Sequence, residues 1–354
     1  MIFNLKTSKR FRKMSFNSTE KVIEIEYISV EIIVIALFSV IFALGTVGNV
    51  FVFYYFGKKK KVSVISETSK VPEFLFCVLA VVDFFASVFN PVLYIYWTLS
   101  HYKWHFGYWA CKLIVPIGTI ATTMSIGIYV IISFDRQRTI VHPFKRPIKF
   151  VYIKLSILLN LLYALVMNAH YALNLTWDGR TSSCNVPNAA NKAYSIPSIF
   201  YFFINICIIL VVINLINYRI FSQIVKHSPT STVLSNAAKQ KKENHRTIRL
   251  LIALTSVFYF LTLPRDILHF VFLASWIFGN GLPVSKSIMI LNSFLKVLNV
   301  AHSCVNPIIY YWMHTGFKKF IKRSFGVKSN SLIRSSNSDL DETQELSESN
   351  DRFL

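Results

Sequence analysis

Seven apolar segments, at about residues 29–57, 71–97, 110–138, 150–173, 195–222, 247–278 and 285–313, follow one another along this chain. Each reaches or exceeds the ~20 residues needed to cross a hydrocarbon core. One such run is compatible with a buried core helix, but seven in succession cannot all hide inside a soluble protein of 354 residues. Hydrophobic side chains make up 53% of the sequence and charged ones only 16%, which places it among membrane proteins. The bilayer core offers no water to unpaired peptide groups, so the segments must be helices.

Charge sets the expected topology. Lys and Arg cluster after the first segment (Lys58 to Lys61), after the third (Arg138, Lys145, Arg146, Lys149), between the fifth and sixth (Lys226, Lys239, Lys241, Lys242, Arg246) and after the seventh (Lys318, Lys319, Lys322, Arg323). The positive-inside rule puts these at the cytoplasmic face and the N-terminus outside. Lys6, Lys9, Arg10, Arg12, Lys13 and Lys21 argue the other way, but most lie well before the first segment, whereas Lys58 to Lys61 abut it. The net charge of +21 is then mainly a topology and lipid-contact signal, and nucleic acid is not an expected partner. No cleavable signal peptide is visible; the first apolar run serves as its own insertion signal, giving a multi-pass protein of the plasma membrane.

Three divisions result: an extracellular segment over 1–27, a membrane domain over 28–325 and a disordered cytoplasmic tail over 326–354, where Ser, Thr, Asp and Glu dominate. Phe317, Phe320, Ile321 and Phe325 repeat at helical spacing with basic residues between them, the pattern of a short amphipathic eighth helix on the inner leaflet. The expected fold is therefore an all-α membrane protein, a seven-transmembrane helix bundle with that eighth helix. Cys77, Cys207 and Cys304 lie in apolar segments and read as packing residues. Cys111 and Cys184 both fall on the outer side, where an oxidising compartment would join them. Asn17 and Asn174 head Asn-x-Ser/Thr triplets on segments placed outside, and are expected glycosylation acceptors. No close Cys/His set offers tetrahedral metal ligands.

Several landmarks then share one spacing. Gly48-Asn49, Leu79 to Asp83, Trp104-His105-Phe106-Gly107, Cys111, Asp135-Arg136, Phe258 with Pro264, and Asn306-Pro307-Ile308-Ile309-Tyr310 occur in order; Arg136 lies 25 positions after Cys111 and 171 before Pro307. In this the chain resembles the rhodopsin-type G-protein-coupled receptors over about residues 28–325. Ile140 to Phe144 and His302 to Tyr310 are most like the neuropeptide receptors among them.

The resemblance implies site roles. Arg136 is held by Asp135 and released when helix six swings outward to admit a heterotrimeric G protein; Tyr218 and Tyr310 supply hydroxyls that meet in the active bundle; Pro143 and Phe144 contact the G protein. Asn306 and Pro307 belong to the same switch. Asp83, near mid-membrane, costs ~2.5–3.5 kcal/mol even on the lenient insertion scale and needs partners. In the family it binds a sodium ion, with polar groups that here are Asn49, Ser125, Ser303 and Asn306; the alternative is a protonated acid that is merely hydrogen-bonded. Ser335, Ser336, Ser338, Thr343, Ser347 and Ser349 become candidate sites for a receptor kinase and arrestin.

Gly118 stands where amine receptors carry an aspartate, so an amine ligand is disfavoured. Gly118, Thr119, Thr122, Thr262, Arg265, Asp266, His269 and Lys296 are the expected ligand contacts. Arg265 and Lys296 suit an acidic group and Asp266 a basic one, a mixed polarity that fits an extracellular peptide, while internal pairing of Asp266 with a cation is the bland alternative. The chain departs from the family at Gln137, Thr262 and His302, and lacks the usual tryptophan of helix four and mid-helix proline of helix five; Phe258 and Tyr259 are the expected relay in place of an indole. A non-peptide ligand, lipid or retinal, is the competing reading, although Lys296 lies one turn too early for a retinal Schiff base and Val300 occupies that place. A transporter would show paired repeats, and none is visible. No nucleophile–base spacing or phosphate-binding loop suggests an enzyme.

Overall fold

The structure is a computed structural model, and it describes residues 18–62, 67–101, 103–141, 148–185, 188–226, 235–279, 281–283 and 285–326. Among the described residues, seven spans are long and apolar enough to cross a membrane: Ile28–Lys58, Val71–Leu99, Gly107–Val141, Phe150–Asn174, Lys192–Ile220, Arg249–Phe278 and Lys286–Met313. These match the seven segments read from hydropathy, with ends displaced by a few residues.

The helices themselves run past the apolar windows. Helix α1 covers Ser18–Val62, so it begins inside the stretch assigned to an N-terminal segment; α2 covers Glu67–Leu99, and α8 Ser235–Phe278. The hydrocarbon requires a helix but does not end one, and polar residues of adequate propensity continue it into water. The third span is two helices, α3 (Gly107–Leu113) and α4 (Ile117–Val141). Pro116 lacks an amide hydrogen, and the chain passes it in a tighter turn with Ile117 N–H donating to the Ile114 carbonyl at 3.1 Å. The fourth span is α5 (Phe150–Asn174). In the fifth, α6 (Lys192–Cys207) and α7 (Asn214–Lys226) are separated by a π-helical stretch over Ile208–Ile213, so the span that lacks a central proline is widened there instead. Helix α9 (Lys286–Met313) is the seventh span.

Two compact units are distinguished, Met1–Ile309 and Tyr310–Leu354. In the first, close helix contacts depend on missing side chains. A Cβ on Gly45 would lie 2.2 Å from Ser87 Oγ, and one on Gly48 2.8 Å from the Pro307 ring. Small residues at such points let helix backbones approach in lipid, where no hydrophobic force drives association. In the second unit, α10 (Thr315–Ser324) is capped by His314 Nδ1, which accepts from the Phe317 amide at 3.0 Å. Tyr310 meets Phe317 edge to face and Phe317 meets Phe320 at a tilt there, at 6.3 and 6.2 Å between ring centroids. The expected tail, from residue 327 onward, lies outside the described residues, as do its candidate phosphorylation sites.

Candidate functional site

At one end of the first unit, the last turns of α4 present Asp135 and Arg136. The arginine folds back on its neighbour, with Nε at 3.0 Å and Nη2 at 2.5 Å from the same carboxylate oxygen. Both residues are buried. Removing one partner of a buried charge pair leaves the other charge uncompensated and is costly. Tyr218, on α7, is 68% exposed on the outer surface. Pro143 and Phe144 lie outside the described residues, and Tyr310 belongs to the second unit.

Midway along the spans, Asp83 is fully buried. Ser125 donates to its Oδ1 at 2.9 Å and Asn306 to its Oδ2 at 2.6 Å. Tyr129 completes the chain by donating to Asn306 Oδ1 at 3.0 Å. Asn49 and Ser303 form a neighbouring group: the Asn49 amide donates to the Ser303 carbonyl at 2.8 Å, and Ser87 Oγ donates to Ser303 Oγ at 2.8 Å. The five residues singled out by sequence thus divide into two hydrogen-bonded sets, and Ser87 and Tyr129 were missed. Both follow a recognised residue by four positions, Ser87 after Asp83 and Tyr129 after Ser125, the spacing that puts side chains on one helical face. The donor set is all oxygen and amide, and Asn49 Oδ1 is buried with no hydrogen-bond partner among the described residues.

Phe258 sits beside this cluster, its ring 4.9 Å from Tyr129 and 5.0 Å from His302. The His302 ring is held through Nδ1 by the Asn299 carbonyl. Thr262 donates its hydroxyl to the Phe258 carbonyl at 2.9 Å and is not among the residues lining the two cavities described next.

Nearer the other end, two adjoining cavities of about 90 and 70 Å³ open among the second to seventh spans. They share Asn90, Tyr94, Thr119, Tyr201, Phe202 and Arg265. Gly118, Thr122, Asp266 and Lys296 line the smaller, and His269 the larger. Thr119 and Thr122 turn their hydroxyls onto the backbone carbonyls of Pro116 and Gly118. Gly118 is itself covered: a Cβ there would lie 1.8 Å from Asn90 Oδ1, so the asparagine occupies the space a larger third-span residue would need. Arg265 Nη1 and Asp266 Oδ1 are 3.5 Å apart, and Lys296 Nζ is 5.0 Å from the Tyr94 ring centroid. Sequence reasoning passed over Asn90, His170, Tyr194 and Tyr201, because tyrosines in an apolar run read equally as lipid-facing aromatics.

The same end carries the disulfide between Cys111 on α3 and Cys184 on β2, with Cα atoms 5.7 Å apart. Strands β1 (Thr176–Asp178) and β2 (Ser183–Asn185) form a hairpin, pairing Trp177 with Cys184. Asp178 closes its turn by accepting from the Arg180 amide and the Thr181 hydroxyl. Those bonds, the Thr181 hydroxyl first, hold its carboxyl below the usual carboxylate range. Trp104 donates its indole N–H to the carbonyl of Gly107, whose φ of +77° favours glycine. Lys112 bonds the carbonyls of Leu173 and Leu175, closing the C-terminal end of α5. Asn174 donates its amide to the His170 carbonyl at that helix end. Asn17 lies outside the described residues.

Comparisons with known proteins agree with this architecture. Squid rhodopsin superposes with a TM-score of 0.67 at 19% identity, covering 88% of this chain and 91% of that one, a likeness of fold. The chain is 26% identical over 290 residues to somatostatin receptor type 2 of Mus musculus, covering 80% of this chain and 74% of that protein. It is 26% identical over 302 residues to melanin-concentrating hormone receptor 1 of Sus scrofa (82% and 80%), and 25% identical over 306 residues to neuropeptide Y receptor type 4 of Rattus norvegicus (82% and 78%). The model of the seven-transmembrane receptors of the rhodopsin family matches residues 48–310, more than half the chain. With seven spans, the buried Asp135–Arg136 pair and the Asp83–Asn306 link in place, the chain belongs to the rhodopsin family of seven-transmembrane receptors.

Proposed function

We propose that this receptor binds an extracellular peptide at the end carrying the disulfide and activates a heterotrimeric G protein at the end carrying Arg136. The family consists of signalling receptors rather than enzymes. The observation that carries the peptide reading is the mixed polarity of the paired cavities, where Arg265, Asp266 and Lys296 stand among tyrosines. Charged groups inside a membrane domain face a polar cavity by default and mark ligand contacts more often than packing. Relatives named for somatostatin, melanin-concentrating hormone and neuropeptide Y point the same way. The family implies a multi-pass protein of the plasma membrane, and the clustered lysines after the first span support an N-terminus on the outer side.

Asp83 is the candidate anchor for a sodium ion. Its carboxylate accepts one bond at each oxygen and retains acceptor capacity, and Ser125, Ser303 and the unpartnered Asn49 Oδ1 are oxygen donors of the hard kind that such a cation takes. The ion would neutralise the buried carboxylate.

The test is G-protein activation in cells expressing the chain, challenged with neuropeptides in amidated and free-acid forms beside an Arg136→Ala control. A response lost in the control supports the proposal. Silence across the library, with surface expression confirmed, rejects a peptide ligand.

A further inference from the structure

Arg265 is the only lysine, arginine or acid lining both cavities. A guanidinium offers five N–H donors. Among the described residues its ion-pair partner is Asp266, with Nη1 3.5 Å from Oδ1, longer than the 2.7–2.9 Å of a strong charge-assisted bond, and Tyr94, Tyr194 and Tyr201 stand near it. Its side chain is only 17% exposed, so water does little to satisfy the remaining donors. Donors left unmade in a desolvated site favour whatever acceptor can reach them.

The surroundings select the acceptor. Asp266 is the one acid among the lining residues, and Arg265 already stands beside it. The third span brings no carboxylate: Gly118 lies under Asn90. Tyr94, Tyr201 and Phe202 supply aromatic faces along both cavities. We infer that the cavities take an acidic group of the ligand, a carboxylate gripped by the Arg265 fork with an aromatic ring packed beside it. This rests on the reading that the ligand enters here, and it reverses the polarity expected of a receptor that anchors a ligand's cation. A planar guanidinium matches a carboxylate in two parallel bonds, which an ammonium cannot reproduce. The carboxylate is either a free C-terminus or an Asp or Glu side chain.

The experiment measures thermal unfolding of the purified full chain in detergent with three small probes. N-acetylphenylalanine carries a terminal carboxylate, N-acetylphenylalaninamide carries none, and N-acetylaspartylphenylalaninamide carries its carboxylate on a side chain. At least one acid raises the unfolding temperature by a few degrees at saturating concentration, and the neutral amide binds about tenfold more weakly or worse. Which acid acts identifies the source. Arg265→Gln removes the preference for acid and Arg265→Lys retains only part of it. Equal shifts from acid and amide, no shift from either acid, or an unchanged preference in Arg265→Gln overturns the inference; should that variant not fold, the unmodified chain and Arg265→Lys decide alone. A silent peptide library beside acid-selective stabilisation rejects the peptide reading and leaves the acid site standing.

Discussion

Gly127→Ala is the substitution whose cost the structure specifies best. A Cβ at Gly127 would lie 1.8 Å from Asn160 Oδ1 and 2.4 Å from its Cγ, so the carboxamide must leave its place. Asn160 cannot leave freely, because Nδ2 donates to the Met124 carbonyl at 2.9 Å and the residue is buried in line with Ile153, Ala164 and Asn168 of the same helix. Overpacking costs typically 1–3 kcal/mol, and a broken interhelical bond in a membrane adds about 0.6 kcal/mol, at most ~1.7. The sum is about 2–4 kcal/mol, several degrees in the unfolding temperature of the purified receptor. Asn160→Ala added to Gly127→Ala removes the clash and should recover more than half of that loss, which with the cost of Asn160→Ala alone makes a coupling of ~2–3 kcal/mol between the two sites. An unfolding temperature for Gly127→Ala equal to that of the parent would refute the packing argument, and so would a double variant no more stable than the sum of the single ones.

Gly118→Ala meets Asn90 just as closely, but Asn90 borders open cavity and has room to turn; the loss should be about 1 kcal/mol or less, with reduced agonist affinity as the amide enters the ligand space, read by unfolding and agonist titration. Asp83→Asn should weaken the effect of sodium on agonist binding, and an unchanged salt response specific to sodium would count against the ion site. Phe258→Ala removes the ring between Tyr129 and His302, and should shift basal signalling with ~3 kcal/mol or more of lost stability; unaltered basal activity in well-expressed receptor would remove Phe258 from the relay. Replacing Cys111 and Cys184 together by serine should cost about 2–4 kcal/mol and lower agonist affinity, measured by unfolding and ligand competition.

The spans were legible because lipid imposes a single rule on the backbone and a length on the side chains, and both show in any window of the sequence. Asp83, Asn306, Asp135 and Arg136 were legible because charged or amide groups stand out in an apolar run. What was hidden is the register between helices. Nothing in the apolar text of the second and third spans says that Asn90 lies over Gly118, or in the third and fourth that Asn160 lies over Gly127; each pair is a small residue on one helix matched by a carboxamide on another. The position of Thr262 below Pro264 is likewise one that a cavity-lining side chain and one turned back onto its own helix can both occupy, and its hydroxyl bonds the Phe258 carbonyl.

The departures from the family pattern have a common physical sense at mid-membrane. With Thr262 bonded to its own helix, the space beside the Asp83 cluster falls to Phe258, whose ring touches both Tyr129 and His302. Tyr129 is bonded to Asn306, and Asn306 to Asp83, so a displacement of the sixth span at Phe258 is felt by the buried carboxylate through one ring contact and two hydrogen bonds. Packed aromatic contacts are lost over fractions of an ångström, while the two bonds fix the direction of the motion they transmit. A relay through these contacts would need no indole, only the sixth-span ring that this chain packs between a third-span tyrosine and a seventh-span histidine.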